Sequence, residues 1–298
     1  MEITFLGTSS AVHSYNRSHP AIVLKAFGEV MLFDCGEGTQ RQFIYAKISP
    51  MKVSKIFISH YHGDHILGLP GLLQSMSFRG RESKLTIYGP KGLNKLKEAI
   101  YSLGYCKIDF PVEFVELGTE TVVETEEYII KSQIVNHNII NLAYSIEEKK
   151  KPRFLRQKAI DLGVPVGPDF GRLHNGEEVE IDGKIIKPEQ VLGKPRKGIK
   201  ITYSGDTIPC EELIEFAKDS DLLIHESTYI DEDKDKAEEH FHSTSTDAAR
   251  IALASNSKQL ILTHFSTRYD NTDELLKEAK SVFENTKIAK DLMTEALR

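Results

Sequence analysis

The chain has 298 residues, room for one large domain or two ordinary ones, and 40% hydrophobic against 28% charged residues is a globular balance. No apolar run reaches the roughly 18 residues of a membrane-spanning helix, and the opening MEITFLGTSS lacks the basic and apolar regions of a secretory signal, so a cytoplasmic protein is expected. The net charge is −6, and Cys35, Cys106 and Cys210 are too scattered for a disulfide framework or cysteine-ligated zinc.

In chain order, EITFLG reads as a strand, AIVLKA and VMLFDCG as a hairpin turning near Gly28, and KIFISH as a strand followed by a helical stretch through Leu72. The strand KLTIYGP and a helix from Leu93 to about Leu103 follow. YIIKSQIV and NLAYSIEE are strands on either side of NHN, where His137 sits. Beyond residue 198, GIKITYSGD, DLLIHES and QLILTHF contain strands, with helices from about Thr246 to Ser255 and from about Asp273. Sheets are thus the main scaffold, in an α/β or α+β arrangement.

Residues 150–196 interrupt this alternation with prolines at 152, 165, 168, 188 and 195 and glycines at 163, 167, 171, 176, 183 and 193. That density predicts an insertion projecting from a single domain spanning 1–298. It coincides with a charge reversal: Lys149 to Lys200 holds 13 Lys or Arg against 7 Asp or Glu, a net +6 on a remainder of −12. Such a segment is either a solvated loop or a surface that meets a polyanion.

Several strands end in a potential metal ligand. KIFIS leads to His60, His62, Asp64 and His65; His137 closely follows KSQIV; Asp206 ends IKITYSG; His225 and Glu226 end DLLI; His264 ends LILT. Polar groups at the same end of neighbouring strands converge on a rigid concave site. Imidazole with carboxylate and no thiolate suits zinc or a similar divalent ion, and crowding these groups without a cation would stack desolvation and charge costs. Two ions need more ligands than the hexapeptide supplies, and His137, His264 and a bridging Asp206 would complete them; singly, His137 or His264 also reads as a hydrogen-bonded structural residue.

SHYHGDH after a buried strand, with His137, Asp206 and His264, resembles the metallo-β-lactamase superfamily. FLGTSSA, LFDCGEGTQRQ, SHYHGDHILGLPGLL, LTIYGP, YSGDT, HESTY, HSTSTDAA and LILTHFSTRY together resemble the ribonuclease Z family, nearly end to end. The resemblance implies an α+β fold, a four-layer αββα sandwich with an inserted flexible arm at 150–196 that grips tRNA away from the active site. It implies two Zn2+ per subunit, with Mn2+ or Fe2+ as substitutes, one ion on His60, His62, His137 and Asp206 and the other on Asp64, His65, Asp206 and His264.

The same likeness implies that Asp34 supports the site and that Glu226 and His242 form a proton-transfer pair; Asp64 is the best candidate to position or deprotonate the attacking water. Precursor tRNA is the implied substrate, cut after the discriminator nucleotide to leave a 3′-hydroxyl on the tRNA and a 5′-phosphate on the trailer. A homodimer is implied, with neither membrane nor DNA as partner. VPVGPDFGRLHNGEEV, with Gly167 and Pro168, looks like the family's glycine-proline hand. Arg17 and Arg268 adjoin site motifs and are candidate phosphate contacts; Phe78, Arg79 and Arg81 are either RNA contacts near the site's mouth or members of a solvated loop. The competing readings are a small-molecule hydrolase of the same fold, of lactonase or thioesterase type, and a noncatalytic RNA-binding protein.

Overall fold

The computed structural model describes residues 1–103 and 107–297; Cys106 lies outside them. Two seven-stranded sheets form the frame. The first has the spatial order Thr294–Ala296, Glu2–Gly7, Ala21–Ala26, Glu29–Phe33, Val53–Phe57, Leu85–Pro90, Val112–Leu117. The second runs Thr286–Ile288, Leu260–Thr263, Leu222–Glu226, Lys200–Tyr203, Asn141–Glu148, Tyr128–Val135, Glu120–Glu124.

The expected hairpin turns through Phe27 and Gly28, with φ of 53° and 73°. Both are left-handed, the two-residue turn whose twist matches the flanking strands. From Glu29–Phe33 outward to Val112–Leu117 the first sheet is parallel, as is the second from Lys200–Tyr203 to Thr286–Ile288.

Ile3, Ile22, Leu24 and Phe33 of the first sheet face Tyr144, Ile146, Ile201, Tyr203 and Ile224 of the second. On its other side the first sheet is covered by Phe43, Leu69, Leu72, Leu73, Leu93 and Ile100 from the helices Thr39–Tyr45, Gly68–Phe78 and Leu93–Ser102. The second is covered by Leu213, Ala248, Ala249, Ile251, Leu275 and Ala279 from Glu211–Phe216, Ser245–Ala254 and Asp273–Val282. Each helix buries one apolar stripe, so the layers stack helix, sheet, sheet, helix. Among the described residues no helix is long and apolar enough to cross a membrane.

Residues 126–128 and 148–198 form a second compact unit. It is not the aperiodic loop its composition suggests. Helices Arg156–Asp161, Pro168–His174 and Pro188–Val191 and the hairpin Val179–Ile181 with Lys184–Ile186 enclose Ala159, Val164, Leu173, Val179, Ile186 and Val191. These elements are too short to display a period, yet each contributes one or two apolar side chains to a common core. At the unit's neck Leu155 N–H donates to Val191 O at 2.7 Å and Gly193 N–H to Arg153 O at 2.8 Å.

Arg81 is buried at 5% exposure and does not join a solvated loop or a phosphate surface. Its guanidinium donates to the carbonyls of Ser83, Met51, Val53 and Lys84 at 2.8–3.0 Å and lies over the Phe110 ring. Replacing it strands buried acceptors, so Arg81→Ala is expected to destabilise the protein by about 3 kcal/mol. The denaturant midpoint of the purified variant checks this; an unchanged midpoint would show that water replaces the guanidinium.

Candidate metal centre

The carboxyl ends of the parallel strands meet at one end of the sandwich. Val53–Phe57 leads to Ser59 and His60, Glu29–Phe33 to Asp34, Lys200–Tyr203 to Asp206, Leu222–Glu226 ends at Glu226, and Leu260–Thr263 leads to His264. Gly205 makes the turn before Asp206 with φ of 59°, and a Cβ there would lie 2.7 Å from Asn141 Oδ1. Asp34 and His264 hold left-handed backbones, with φ of 55° and 61°. Such conformations cost about 1 kcal/mol or more in non-glycine residues and persist where surrounding bonds over-determine them.

Donor atoms of His60, His62, His137 and Asp206 lie within 4.8 Å of one another, as do those of Asp64, His65 and His264. His62 Nδ1 is 3.0 Å from His60 Nε2 and 3.3 Å from His137 Nε2. His65 Nε2 and His264 Nε2 are 3.3 Å apart, and each is 3.2 Å from Asp206 Oδ2. Asp206 therefore stands between the two groups.

The outer nitrogens fix the tautomers. His65 Nδ1–H donates to Asp34 Oδ2 at 2.9 Å and His137 Nδ1–H to the Phe241 carbonyl at 2.7 Å. Ser59 Oγ–H is committed to Asp34 Oδ2 at 2.8 Å, so it accepts from His60 Nδ1–H at 2.9 Å. Thr228 Oγ1–H is committed to Glu226 Oε2 at 2.7 Å, so it accepts from His264 Nδ1–H at 2.9 Å. Four imidazoles thus aim Nε2 lone pairs at the same small volume. Lone pairs at such separations repel, and buried Asp206 Oδ1 has no hydrogen-bond partner. Divalent cations resolve both conflicts, and nitrogen with carboxylate oxygen is the donor set that zinc and its neighbours accept.

The electrostatics agree. Burial opposes charge on Asp206 and Asp64, yet His264 and His65 around Asp206, and His65 and His264 around Asp64, hold both carboxyls well below the usual range. Burial likewise opposes charge on His65, but Asp206, Asp64 and Asp34 outweigh it and raise its pKa. The carboxylates that favour a proton there favour a cation in its place.

Beside this centre, Glu226 Oε1 accepts from His242 Nδ1 at 2.8 Å and from the backbone N–H of Thr207 and Ser243 at 3.1 Å. Burial disfavours the His242 cation, but Glu226 prevails and raises its pKa to about 9. A cleft of about 880 Å3 opens over Asp64, Asp206, His242 and His264.

Two family models match parts of the chain: that described as anti-Pycsar protein Apyc1 over residues 1–109, and the beta-lactamase superfamily domain over residues 187–265. Ribonuclease Z of Methanothermobacter thermautotrophicus is 56% identical over 294 residues, covering 99% of this chain and 96% of that protein. Ribonuclease Z of Methanocaldococcus jannaschii is 50% identical, covering 92% and 88%. The chain belongs to the ribonuclease Z family. In structure, the short form of human tRNase Z superposes with a TM-score of 0.74 at 29% identity over the whole of both chains. The Bacillus subtilis protein YhfI, a metallo-β-lactamase fold, superposes with a TM-score of 0.72 at 21% identity over 99% and 98% of the two chains.

For a ribonuclease Z family member, the outlying candidates fall in several places. Arg268 lines the cleft, 3.3 Å from Asp233 and over the Tyr229 ring. Arg17 is half-buried over Phe265 and lines a neighbouring hollow. Phe78, 95% exposed, and Arg79 do not line the cleft; they line a separate depression with Gln40, Arg41 and Ile44. Gly167 and Pro168 begin the helix Pro168–His174 in the second unit.

Sequence reading did not anticipate Ser59, Thr228 or the Phe241 carbonyl, common groups whose role exists only once the chain is folded. Nor did it single out His13, His19 and Glu37, whose donor atoms also lie within 4.8 Å of one another at the cleft. The His13 and His19 rings stack at 3.7 Å and 16°, so their lone pairs run side by side and do not converge.

Because Asp206 serves both groups, Asp206→Ala is expected to weaken binding of every zinc equivalent by at least tenfold, a typical cost of disturbing a metal shell. Competition with a chromophoric chelator measures this; parent-like affinities would contradict a bridging carboxylate.

Proposed function

We propose that this chain is a zinc-dependent endoribonuclease that removes the 3′ trailer from precursor tRNA, cutting after the discriminator nucleotide to leave a tRNA 3′-hydroxyl and a trailer 5′-phosphate. The observation that carries the reading is Asp206 between two ligand groups, with the Glu226–His242 pair beside them. His60, His62, His137 and Asp206 would hold one ion, and Asp64, His65, Asp206 and His264 the other. When bound, such ions supply the Lewis acidity that ionises water near neutral pH and offsets charge on the phosphoryl oxygens.

The chain's own groups do the rest. Asp64 Oδ2 already accepts from Ala11 N–H at 2.8 Å, and its carboxyl stands well below the usual range. It therefore orients the attacking water and does not retain the proton, which passes to solvent. His242, kept protonated by Glu226, donates a proton to the departing 3′-oxygen, so the tRNA end of the substrate lies on the His242 flank. Arg268 at the cleft is placed to meet a phosphate. The basic stretch from Lys149 to Lys200, with Gly167 and Pro168 exposed, supplies the sequence-independent attraction that a folded polyanion requires. We place the enzyme in the cytoplasm, acting as a homodimer on RNA and not on DNA.

The assay is an incubation with end-labelled precursor tRNA. Trailer release is expected, and a chelator should stop it. Excising residues 152–194, whose ends are already bonded together at the neck, should lower tRNA affinity by at least tenfold while hydrolysis of a small phosphodiester persists. Unchanged tRNA processing would show that the second unit is not the RNA-gripping arm, and a parent that releases no trailer would favour the small-molecule hydrolase.

Glu226→Gln gives the pH test. His242 must carry its proton to act, so activity is lost as pH rises through its pKa. Removing the carboxylate lowers that pKa, and the alkaline limb of the rate profile should move to lower pH, with kcat down by about 10- to 100-fold. An unmoved limb would remove His242 from the proton-donor role.

A further inference from the structure

The segment from Thr8 to His19 has no secondary structure of its own beyond one bridge, yet it bonds to Asp64 and to the residue after His264, two members of one ligand group. Ala11, at a left-handed φ of 58°, donates its N–H to Asp64 Oδ2 at 2.8 Å. Ser10 N–H donates to the Phe265 carbonyl at 2.9 Å, and Phe265 N–H to the Thr8 carbonyl at 2.9 Å, one residue beyond His264. A loop bearing such contacts must be held from behind, since backbone freedom at Ala11 would transfer directly to the Asp64 carboxylate.

The restraint comes from the far end of the chain. Asp291 lies in the turn between the strands Thr286–Ile288 and Thr294–Ala296, and this turn is stitched to the first strand by Leu292 N–H to Phe5 O at 2.6 Å and Phe5 N–H to Met293 O at 3.0 Å. Asp291 Oδ1 accepts from Thr8 Oγ1 at 2.8 Å. Its Oδ2 accepts from Ser18 N–H at 2.7 Å and Gln42 Nε2 at 3.0 Å. One carboxylate thereby grips both ends of the loop and the helix Thr39–Tyr45. Ser9 N–H to Ser18 O at 2.9 Å closes the same ends together, and Arg17 lies over Phe265. A half-buried carboxylate carries a desolvation cost, and here its hydrogen bonds all go to the loop and the helix against it.

We propose that Asp291 is a positioning residue for the metal centre, acting through the Thr8–His19 loop to aim Asp64 at the ion that Asp64 shares with His65 and His264. This rests on the dinuclear reading above. Asp291 touches neither ion nor substrate. Its effect is expected on the Asp64 side, because among the described residues the loop makes no hydrogen bond to His60, His62 or His137.

The test compares zinc binding by the full-length parent, Asp291→Ala and Asp291→Asn, using competition with a chromophoric chelator, alongside unfolding of each in excess chelator. The parent is expected to show two affinities. In Asp291→Ala one should be unchanged and the other weaker by about tenfold or more. The amide of Asp291→Asn can keep its oxygen on Ser18 N–H and Gln42 Nε2 and donate its NH2 to Thr8 Oγ1, so it should retain more of the weakened affinity than Asp291→Ala. Asp64→Asn should weaken the same equivalent, and the double variant should add little to it. Two parent-like affinities in Asp291→Ala would overturn the proposal, as would two that fall together in step with stability in chelator, the mark of a merely structural role. A parent that binds no zinc would overturn the dinuclear reading itself, and this inference with it; a parent with two sites of which neither responds to Asp291 sinks this inference alone.

Discussion

One buried carboxylate, Asp34, ties the two sheets to the metal centre. Its oxygens accept from Ser59 N–H at 2.7 Å, Ser59 Oγ at 2.8 Å, His65 Nδ1 at 2.9 Å and Tyr203 Oη at 2.7 Å. Asp34 and Ser59 follow adjacent strands of the first sheet, and Tyr203 belongs to the second. Four donors on a fully buried carboxylate make any relative slip of the sheets expensive, because each lost bond leaves a charge partly unsolvated. The ligands from the first sheet therefore meet Asp206, three residues beyond Tyr203, in fixed register. Close backbone approach does similar work: a Cβ on Gly68 would lie 1.9 Å from the Gly36 carbonyl, so the helix after His65 rests directly on the loop after Asp34.

Around that anchor, selectivity for a cation is a matter of which proton goes where. Ser59 and Thr228 each spend their one hydroxyl proton on a carboxylate and so can only accept from the imidazole beside them. Two ordinary hydroxyls thus decide that His60 and His264 turn lone pairs inward. A site built from histidines of undetermined tautomer would present a mixture of donors and acceptors to the ion, and much of its affinity would be lost in ordering them.

This also marks the boundary of what the amino-acid sequence discloses. The strands Tyr128–Val135 and Asn141–Glu148 coincide with the apolar runs read for them, and His60, His62, Asp64 and His65 stand out because no soluble core crowds such groups without reason. The supporting groups do not stand out. Ser59, Thr228 and a main-chain carbonyl are common everywhere, and Asp291 is 227 residues from Asp64. Arg81 misleads in the opposite direction, since a cation beside Gly80 looks solvated until four carbonyls are found around it. The positive charge of the stretch Lys149–Lys200 can be counted in the sequence, while the core of the second unit cannot be read there, because segments of a few residues carry no period.

Two buried glutamate and aspartate side chains at the centre show how satisfaction decides role. Glu226 Oε1 accepts from Thr207 N–H, Ser243 N–H and His242, and Oε2 from the N–H and Oγ1 of Thr228. Nothing remains on it for an ion, and its charge is spent keeping His242 protonated. Asp206, equally buried, has an Oδ1 with no donor and an Oδ2 surrounded by imidazole nitrogens. The backbone amides that saturate Glu226 come from the Gly205–Thr207 turn, Thr228 and the His242–Thr244 segment, so the turn that bares Asp206 also helps to close off Glu226. In the proposed mechanism, cation binding and proton donation are thus kept apart by main-chain donors, and the two roles cannot be exchanged by swapping the carboxylates alone.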